Sequence, residues 1–298
     1  MSNETEPAKP SILSQMYEQR MKDIQADKII PGSTPLDIQR LLNLSTAPPL
    51  ISFVERLERN PSSLTPNPRP SLIAEIKRVI AHKGEVSPVP RPAALAHHFV
   101  GQGASAISVL TEPRWFKGSL LDLRGIREAV TDYPDRPAII AKDLVFDEYQ
   151  IDVARLNGAD TVSLIVALLS QERLKALYDY SLSHGMEPLV KVHNSDEMTR
   201  AIDIGAKVIG IYNHNPHDFS VNLATTLKLA GMVNNHDDTL LCAIGGITTA
   251  AEVETYAQQG VKVILIEEDL KGDDGQPRPF FDDLPCTHAM EDIVDIFS

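Results

Sequence analysis

Four charged residues set the chemical question: Glu75, Lys77, Lys142 and Lys191. Glu75 and Lys77 stand two apart in Ala74-Glu-Ile-Lys-Arg78, so on a strand they share one face. If that face is an interior one, both charges must be paired or functional, because an isolated buried charge is too costly. Lys142 closes the apolar run that begins at Ala138, and Lys191 interrupts Leu189-Val-Lys-Val192. An ammonium at a strand end can protonate or polarise an oxygen that gains charge. A lysine whose proton is displaced by neighbouring cations can instead attack a carbonyl, or it can simply hold a carboxylate. Further along come Tyr212, Asn213 and His214, then Gly245-Gly246, then Glu267-Glu268. The first set adds a hydroxyl, an amide and a titratable base. Each residue also has a plain structural explanation. Glu75 and Lys77 can be an ion pair closing the end of a barrel, Tyr212 can fill space, and Glu267 can pair with Lys191 or Lys262. His82 and His193 read as satisfied or solvent-facing polar residues.

These residues need elements to hold them. After residue 70, short apolar or β-branched runs recur at 71–77, 104–111, 138–143, 161–166, 187–193, 208–213, 240–246 and 261–267. Helical stretches separate them near 92–101, 119–130, 147–157, 170–184, 195–204, 221–231 and 249–259, and a last helix is expected at 287–297. This alternation predicts a (β/α)8 TIM barrel over 71–298, with chemistry at the C-terminal ends of the strands. A doubly wound open sheet is the competing topology, weakened because no Gly-x-Gly-x-x-Gly follows the first strand. Ahead of the barrel, an N-terminal helical extension with a proline-rich linker is expected over 11–70, after a disordered tail at 1–10. Its helices are read at 12–26, from Thr34-Pro35, and at 51–58, with the linker at 60–70.

The composition excludes several function classes. The 298 residues carry a formal charge of −13, which argues against a general nucleic-acid or anionic-membrane surface. No run approaches the length of a membrane span, and the polar, acidic start is unlike a leader peptide, so a cytoplasmic enzyme is expected. Only Cys242 and Cys286 are present, without metal-ligand spacing, and Cys242 sits in an apolar run as a core thiol. The expected partner is a small-molecule substrate, with neither metal nor nucleotide cofactor.

A resemblance sharpens this. Ala74-Glu-Ile-Lys-Arg78, Ile107-Ser-Val-Leu-Thr-Glu112, Trp115-Phe-Lys-Gly-Ser119, Lys142-Asp143, Asp147-Glu-Tyr-Gln150, Gly158-Ala-Asp160 and Gly185-Met-Glu-Pro-Leu-Val190 occur in order. Together they resemble indole-3-glycerol-phosphate synthase, most closely its fungal form, from about Ile12 to Leu270. That resemblance implies an enzyme closing an indole ring on an anthranilate-derived ribulose phosphate, with loss of carbon dioxide and water. It implies catalytic roles for Glu75, Lys77 and Lys142, with Lys142 the general acid at the carbonyl. Lys77 would orient a carboxylate or help expel water, with Glu75 as its partner. The fungal form is usually one part of a longer polypeptide, whereas this chain is expected to carry one catalytic domain.

The departures from the pattern are equally specific. Lys191 stands where the family has a catalytic glutamate. Gly210-Ile-Tyr-Asn-His214 replaces Gly-Val-Asn-Asn-Arg, so Tyr212 takes an asparagine's place and His214 that of a phosphate-contacting arginine. Gly245-Gly246-Ile247 replaces Ser-Gly-Ile, Ile266-Glu-Glu268 replaces Val-Gly-Glu, and Ile80-Ala-His82 replaces Ser-Pro-Ser. Leu144 stands where an aromatic residue is expected. A carboxylate at Glu267 opposes a phosphate dianion by about several kcal/mol at an effective dielectric near 20. Loss of the arginine removes a permanent bidentate donor. Three readings follow: a divergent enzyme of a specialised pathway acting on a related unphosphorylated aromatic-amine substrate, a pseudoenzyme that binds a ligand or partner, and a genuine indole-3-glycerol-phosphate synthase. The substrate-contacting residues are expected to be Tyr212, Asn213, His214, Gly245, Gly246 and Glu267.

Overall fold

A computed structural model describes residues 12–59, 70–79, 91–214, 220–233, 236, 238–247 and 250–266. The expected tail at 1–10, most of the 60–70 linker, the helix at 287–297, and His82, Glu267, Glu268 and Cys286 lie outside the described residues.

Three helices lead into the barrel: α1 (Ile12–Asp27), α2 (Pro35–Asn43) and α3 (Phe53–Glu58). Thr34 and Asp37 form a reciprocal capping box at the start of α2, with Pro35 at a position where its missing N–H costs nothing. Ser52 caps α3 by accepting from the Glu55 N–H. Eight strands follow: β1 (Ser71–Ile76), β2 (Ala106–Leu110), β3 (Ala138–Lys142), β4 (Thr161–Ile165), β5 (Leu189–Val192), β6 (Val208–Tyr212), β7 (Leu240–Ile244) and β8 (Val263–Ile266). The helices between them are α4 (Pro92–Gly101), α5 (Leu120–Ala129), α6 (Glu148–Leu156), α7 (Gln171–Ser183), α8 (Ser195–Asp203), α9 (Ala224–Ala230) and α10 (Ala250–Gln258).

All neighbouring strands pair in parallel, and β8 pairs back onto β1 (Ile73 beside Leu265), which closes the barrel. The expected (β/α)8 architecture is therefore the one present, and closure rules out the open sheet. Most elements are trimmed by a residue or more relative to the expected ranges, and in two of them the cause is visible. β5 begins at Leu189 rather than 187, because Pro188 has no N–H and the Glu187 carboxylate accepts from Ser52 Oγ and the Val54 N–H of α3. α9 begins at Ala224 rather than 221, because Val221 pairs antiparallel with His214 and the Asn222 N–H donates to the Asn213 carbonyl.

Burial follows the two faces of each strand. Outward residues such as Leu72, Ala74, Ile107, Val109, Val190 and Ile209 pack against the helices. Inward residues such as Ile73, Ile140, Leu189, Val208, Cys242 and Leu265 form a second apolar cluster, closed at the N-terminal end by Phe53 and Leu57 of α3. Cys242 is buried there, as the apolar run around it suggests. Each strand is staggered against the next by roughly one residue. The registers then group inward residues by alternate strands: Ile73, Ile140, Leu189 and Cys242 form one layer, with Ser108, Ser163, Gly210 and Leu265 above it. Above that come Glu75, Lys142, Lys191 and Ile244, and above these Leu110, Ile165 and Tyr212. The interior is apolar below and charged at the C-terminal mouth.

Candidate active site

One layer of the barrel thus holds three of the four charged residues with which the sequence opens. Glu75 is 4% exposed and accepts two hydrogen bonds from Lys142 Nζ, at 2.9 and 2.7 Å, and one from Ser108 Oγ at 3.0 Å. The ion pair links β1 to β3 across β2, and Ser108 on the intervening strand supports it from below. Lys142 keeps some exposure toward the mouth, while the Glu75 side chain is almost fully enclosed. That asymmetry leaves the ammonium as the group able to meet a ligand. Lys77, half-buried just past β1, lies on the same inward parity as Glu75. Its neighbour Arg78 turns outward to a bidentate pair with Asp122 at the start of α5. The partner of Glu75 is thus Lys142 rather than Lys77, a correction to the simplest reading of Glu-x-Lys.

Lys191 is also buried, and its Nζ lies 4.6 Å from the centroid of the Tyr212 ring, a cation over an aromatic face. The rings of Tyr212 and His214 are 5.0 Å apart. His193 Nδ1 sits 2.9 Å from the Tyr212 carbonyl; a carbonyl only accepts, so this nitrogen carries the proton. His193 is therefore a satisfied residue that holds the end of β6. Exchanging Tyr212 for leucine removes the face on which Lys191 rests, whereas phenylalanine keeps it. Tyr212→Leu is expected to cost about 1–2 kcal/mol more stability than Tyr212→Phe, read from urea midpoints of the two variants.

The remaining sequence candidates divide differently. Asn213 is fully buried and fully engaged: it donates to the Gly245 carbonyl and Tyr256 hydroxyl and accepts from Thr226 N–H and Oγ1. It braces β6 against β7 and α9 and presents no polar group to the mouth, contrary to the expectation of a substrate contact. Gly245 and Gly246 have φ of 84° and 72°. A Cβ on Gly246 would stand 2.3 Å from Val221 Cγ1, so glycine here satisfies the backbone and the crossing loop.

Several further residues support the site. Asp143, next to Lys142, takes Arg20 of α1 in a bidentate pair at 2.9 and 2.7 Å and accepts from Thr111 Oγ1 and the Leu144 N–H. Burial alone lowers the Arg20 pKa, but the adjacent Asp143 carboxylate more than offsets this and the net shift is upward. Glu112 is 1% exposed and accepts from the N–H groups of Arg114, Trp115 and Phe116, at 2.8, 2.7 and 3.0 Å. It ties down the loop after β2, where Lys117 has φ 53° and a Cβ on Gly118 would meet the Leu110 carbonyl at 2.2 Å. Ser108 had a visible signal: a polar residue at inward parity within an apolar strand. Arg20 had none, being 123 positions from its partner.

The closed parallel barrel makes this a TIM-barrel protein, and its buried carboxylate–lysine pair lies at the C-terminal mouth, where TIM-barrel enzymes keep their active sites. The sequence family is specific: the family model for indole-3-glycerol phosphate synthase matches residues 13–277, and the chain belongs to that family. It is 50% identical over 261 residues to a multifunctional tryptophan biosynthesis protein of Phanerodontia chrysosporium, covering 88% of this chain and 32% of that one. A protein of the same description from Schizosaccharomyces pombe is 50% identical over 260 residues, covering 87% and 33%. The chain thus spans about a third of the length of these relatives. An indole-3-glycerol phosphate synthase of Roseiflexus sp. is 45% identical over 182 residues, covering 59% of this chain and 66% of that one. Among solved structures, a 2-keto-3-deoxy-6-phospho-gluconate aldolase of Zymomonas mobilis superposes with a TM-score of 0.51 at 15% identity, covering 81% and 97%. That likeness concerns the fold alone. Among the described residues no group of acidic, histidine and cysteine side chains could hold a metal, and no helix is long and apolar enough to cross a membrane.

Proposed function

We propose that this chain catalyses the ring-closing decarboxylation of an arylamino ketose, the reaction type of indole-3-glycerol-phosphate synthase. The observation that carries it is the Glu75–Lys142 pair, buried at the one end of the barrel where such enzymes work. Lys142 Nζ, held by the two hydrogen bonds it donates to the Glu75 carboxylate, gives its proton to the ketone oxygen as the ring carbon attacks the carbonyl carbon. The carbon–carbon bond forms, and the carboxylate leaves that ring carbon as carbon dioxide, returning its electron pair to the ring. The new hydroxyl then takes up a proton and departs as water while the neighbouring methylene carbon loses one, which leaves the ring double bond, with Lys77 placed at the mouth to assist by giving the proton to the departing oxygen. Similarity of 50% to multifunctional tryptophan biosynthesis proteins over most of this chain supports the phosphorylated anthranilate-derived ketose as substrate.

A second reading, an unphosphorylated relative of that substrate from a specialised pathway, is favoured by one corner of the site. Lys191, Tyr212 and His214 form a contiguous cation–ring–ring stack there. This stack replaces the family's glutamate, asparagine and arginine. Turnover of 1-(2-carboxyphenylamino)-1-deoxyribulose 5-phosphate and of its dephosphorylated analogue separates the two. Indole-glycerol phosphate, followed by fluorescence and mass, is expected from the first compound. Turnover of only the second would transfer the proposal to the unphosphorylated substrate. Binding without turnover of either would defeat both and leave a ligand-binding pseudoenzyme.

A further inference from the structure

Ser163 sits midway along β4 at inward parity, 1% exposed, and its hydroxyl has no hydrogen-bond partner among the described residues. The pairs Ala141–Val162 and Ser163–Leu189 place it between β3 and β5, one layer beneath Lys142 and Lys191. Its layer is built from small side chains: Ser108, Ser163 and Gly210 beside Leu265, above the larger Ile73, Ile140 and Leu189. The other polar and open positions are accounted for. Ser108 Oγ donates to Glu75, and Ile244 Cδ1 reaches to 2.5 Å from where a Gly210 Cβ would stand. Thr161, deeper on the same strand, donates to the Glu187 carbonyl. Ser163 therefore keeps unspent hydrogen-bonding capacity in an enclosed place, where leaving it unused is costly.

The walls above it say which part of a ligand arrives. At inward parity over Ser163 stand Leu110 and Ile165, one strand to either side of Lys142, while the aromatic and titratable groups Tyr212 and His214 lie at β6. The β2–β4 side suits an aromatic ring and the β6 side a polar tail. We propose that Ser163 is a specificity-determining contact, its hydroxyl pairing with a hydroxyl or amino substituent on the substrate's aromatic ring. The inference rests on the ring-closing reading for the presence of that ring. Ser163 accepts from such a group or donates to it, so the site favours a substituted ring over the plain one.

The test uses the full chain with anthranilate and its ring-hydroxylated isomers as calorimetric probes, and the corresponding ketose phosphates as substrates. At least one hydroxylated isomer is expected to bind about three- to tenfold tighter than anthranilate, the effect of one neutral hydrogen bond. Ser163→Ala is expected to abolish that ratio, and Ser163→Cys, which keeps a weaker donor in a similar volume, to shrink it. An identical ranking in all three proteins would leave a buried water as the partner and overturn the assignment, as would failure of the whole set to bind. A Ser163-dependent ranking without turnover would defeat the ring-closing reading and keep the subsite. Turnover with an unchanged ranking would do the reverse.

Discussion

Lys142→Met should lower kcat by roughly a hundred- to ten-thousand-fold on the true substrate, the range for loss of a positioned general acid. Among the described residues no second ammonium is placed to substitute for it. Lys191 shares its layer but lies on β5 against the Tyr212 ring, and Lys77 lies past the end of β1. The same substitution strips Glu75 of two hydrogen bonds and its counter-charge and leaves it the Ser108 hydroxyl as a donor. Breaking a fully buried pair costs about 3–5 kcal/mol; the part of Lys142 that water reaches brings this nearer to 2. Single-turnover kinetics beside urea unfolding separate the two losses, because a folded fraction above nine-tenths cannot explain a hundredfold fall. Full turnover by the Lys142→Met protein would remove Lys142 from the chemistry.

Asp160→Ala should be the most damaging single change away from the mouth. Asp160 is 1% exposed and accepts from both terminal nitrogens of Arg136, at 2.6 and 2.7 Å, and from the N–H groups of Ile51 and Ile139, at 3.0 and 2.8 Å. It thereby joins the chain before α3, the start of β3 and the turn into β4. Alanine leaves the Arg136 guanidinium buried without its carboxylate, at an expected cost of about 3–5 kcal/mol. Against a typical total of about 5–15 kcal/mol this is a large share, visible as a fall of roughly 10 °C in Tm. Arg124→Ala provides the control, since its pair with Glu128 is largely exposed and a shift within about 0.5 kcal/mol is expected. A midpoint for Asp160→Ala within that margin would contradict the role assigned here.

Asp160 also shows what kind of information the sequence motifs carry. Gly158-Ala-Asp160 and Trp115-Phe-Lys-Gly-Ser119 help to mark the family, yet both build the frame: one through Arg136, the other through a left-handed turn under the Glu112 carboxylate. The barrel was readable because each strand–helix unit repeats a local apolar pattern and successive strands pair with one another, with only β8 reaching back to β1. Glu75, Lys142 and Lys191 were readable because a charge inside an apolar strand is conspicuous. The orientation of Asn213 could have been anticipated too, since a residue adjacent to inward Tyr212 faces the other way. What sequence could not supply was pairing between remote elements. Nothing local tells that Lys142 belongs to Glu75, or that Arg20 of the leading helix holds Asp143.

The loop after β2 gives the protein an optical property. Trp115 is the only tryptophan in the 298 residues, and it is 36% exposed in the loop after β2, its backbone N–H held by the Glu112 carboxylate. Emission excited at the long-wavelength edge therefore comes from one place and not from an average over the molecule. A ligand settling into the mouth changes the polarity around that indole and registers as a spectral shift without any attached dye. Unfolding followed at the same wavelength reads that loop alone, so its agreement with a whole-chain probe such as far-ultraviolet dichroism would measure whether loop and barrel melt as one cooperative unit.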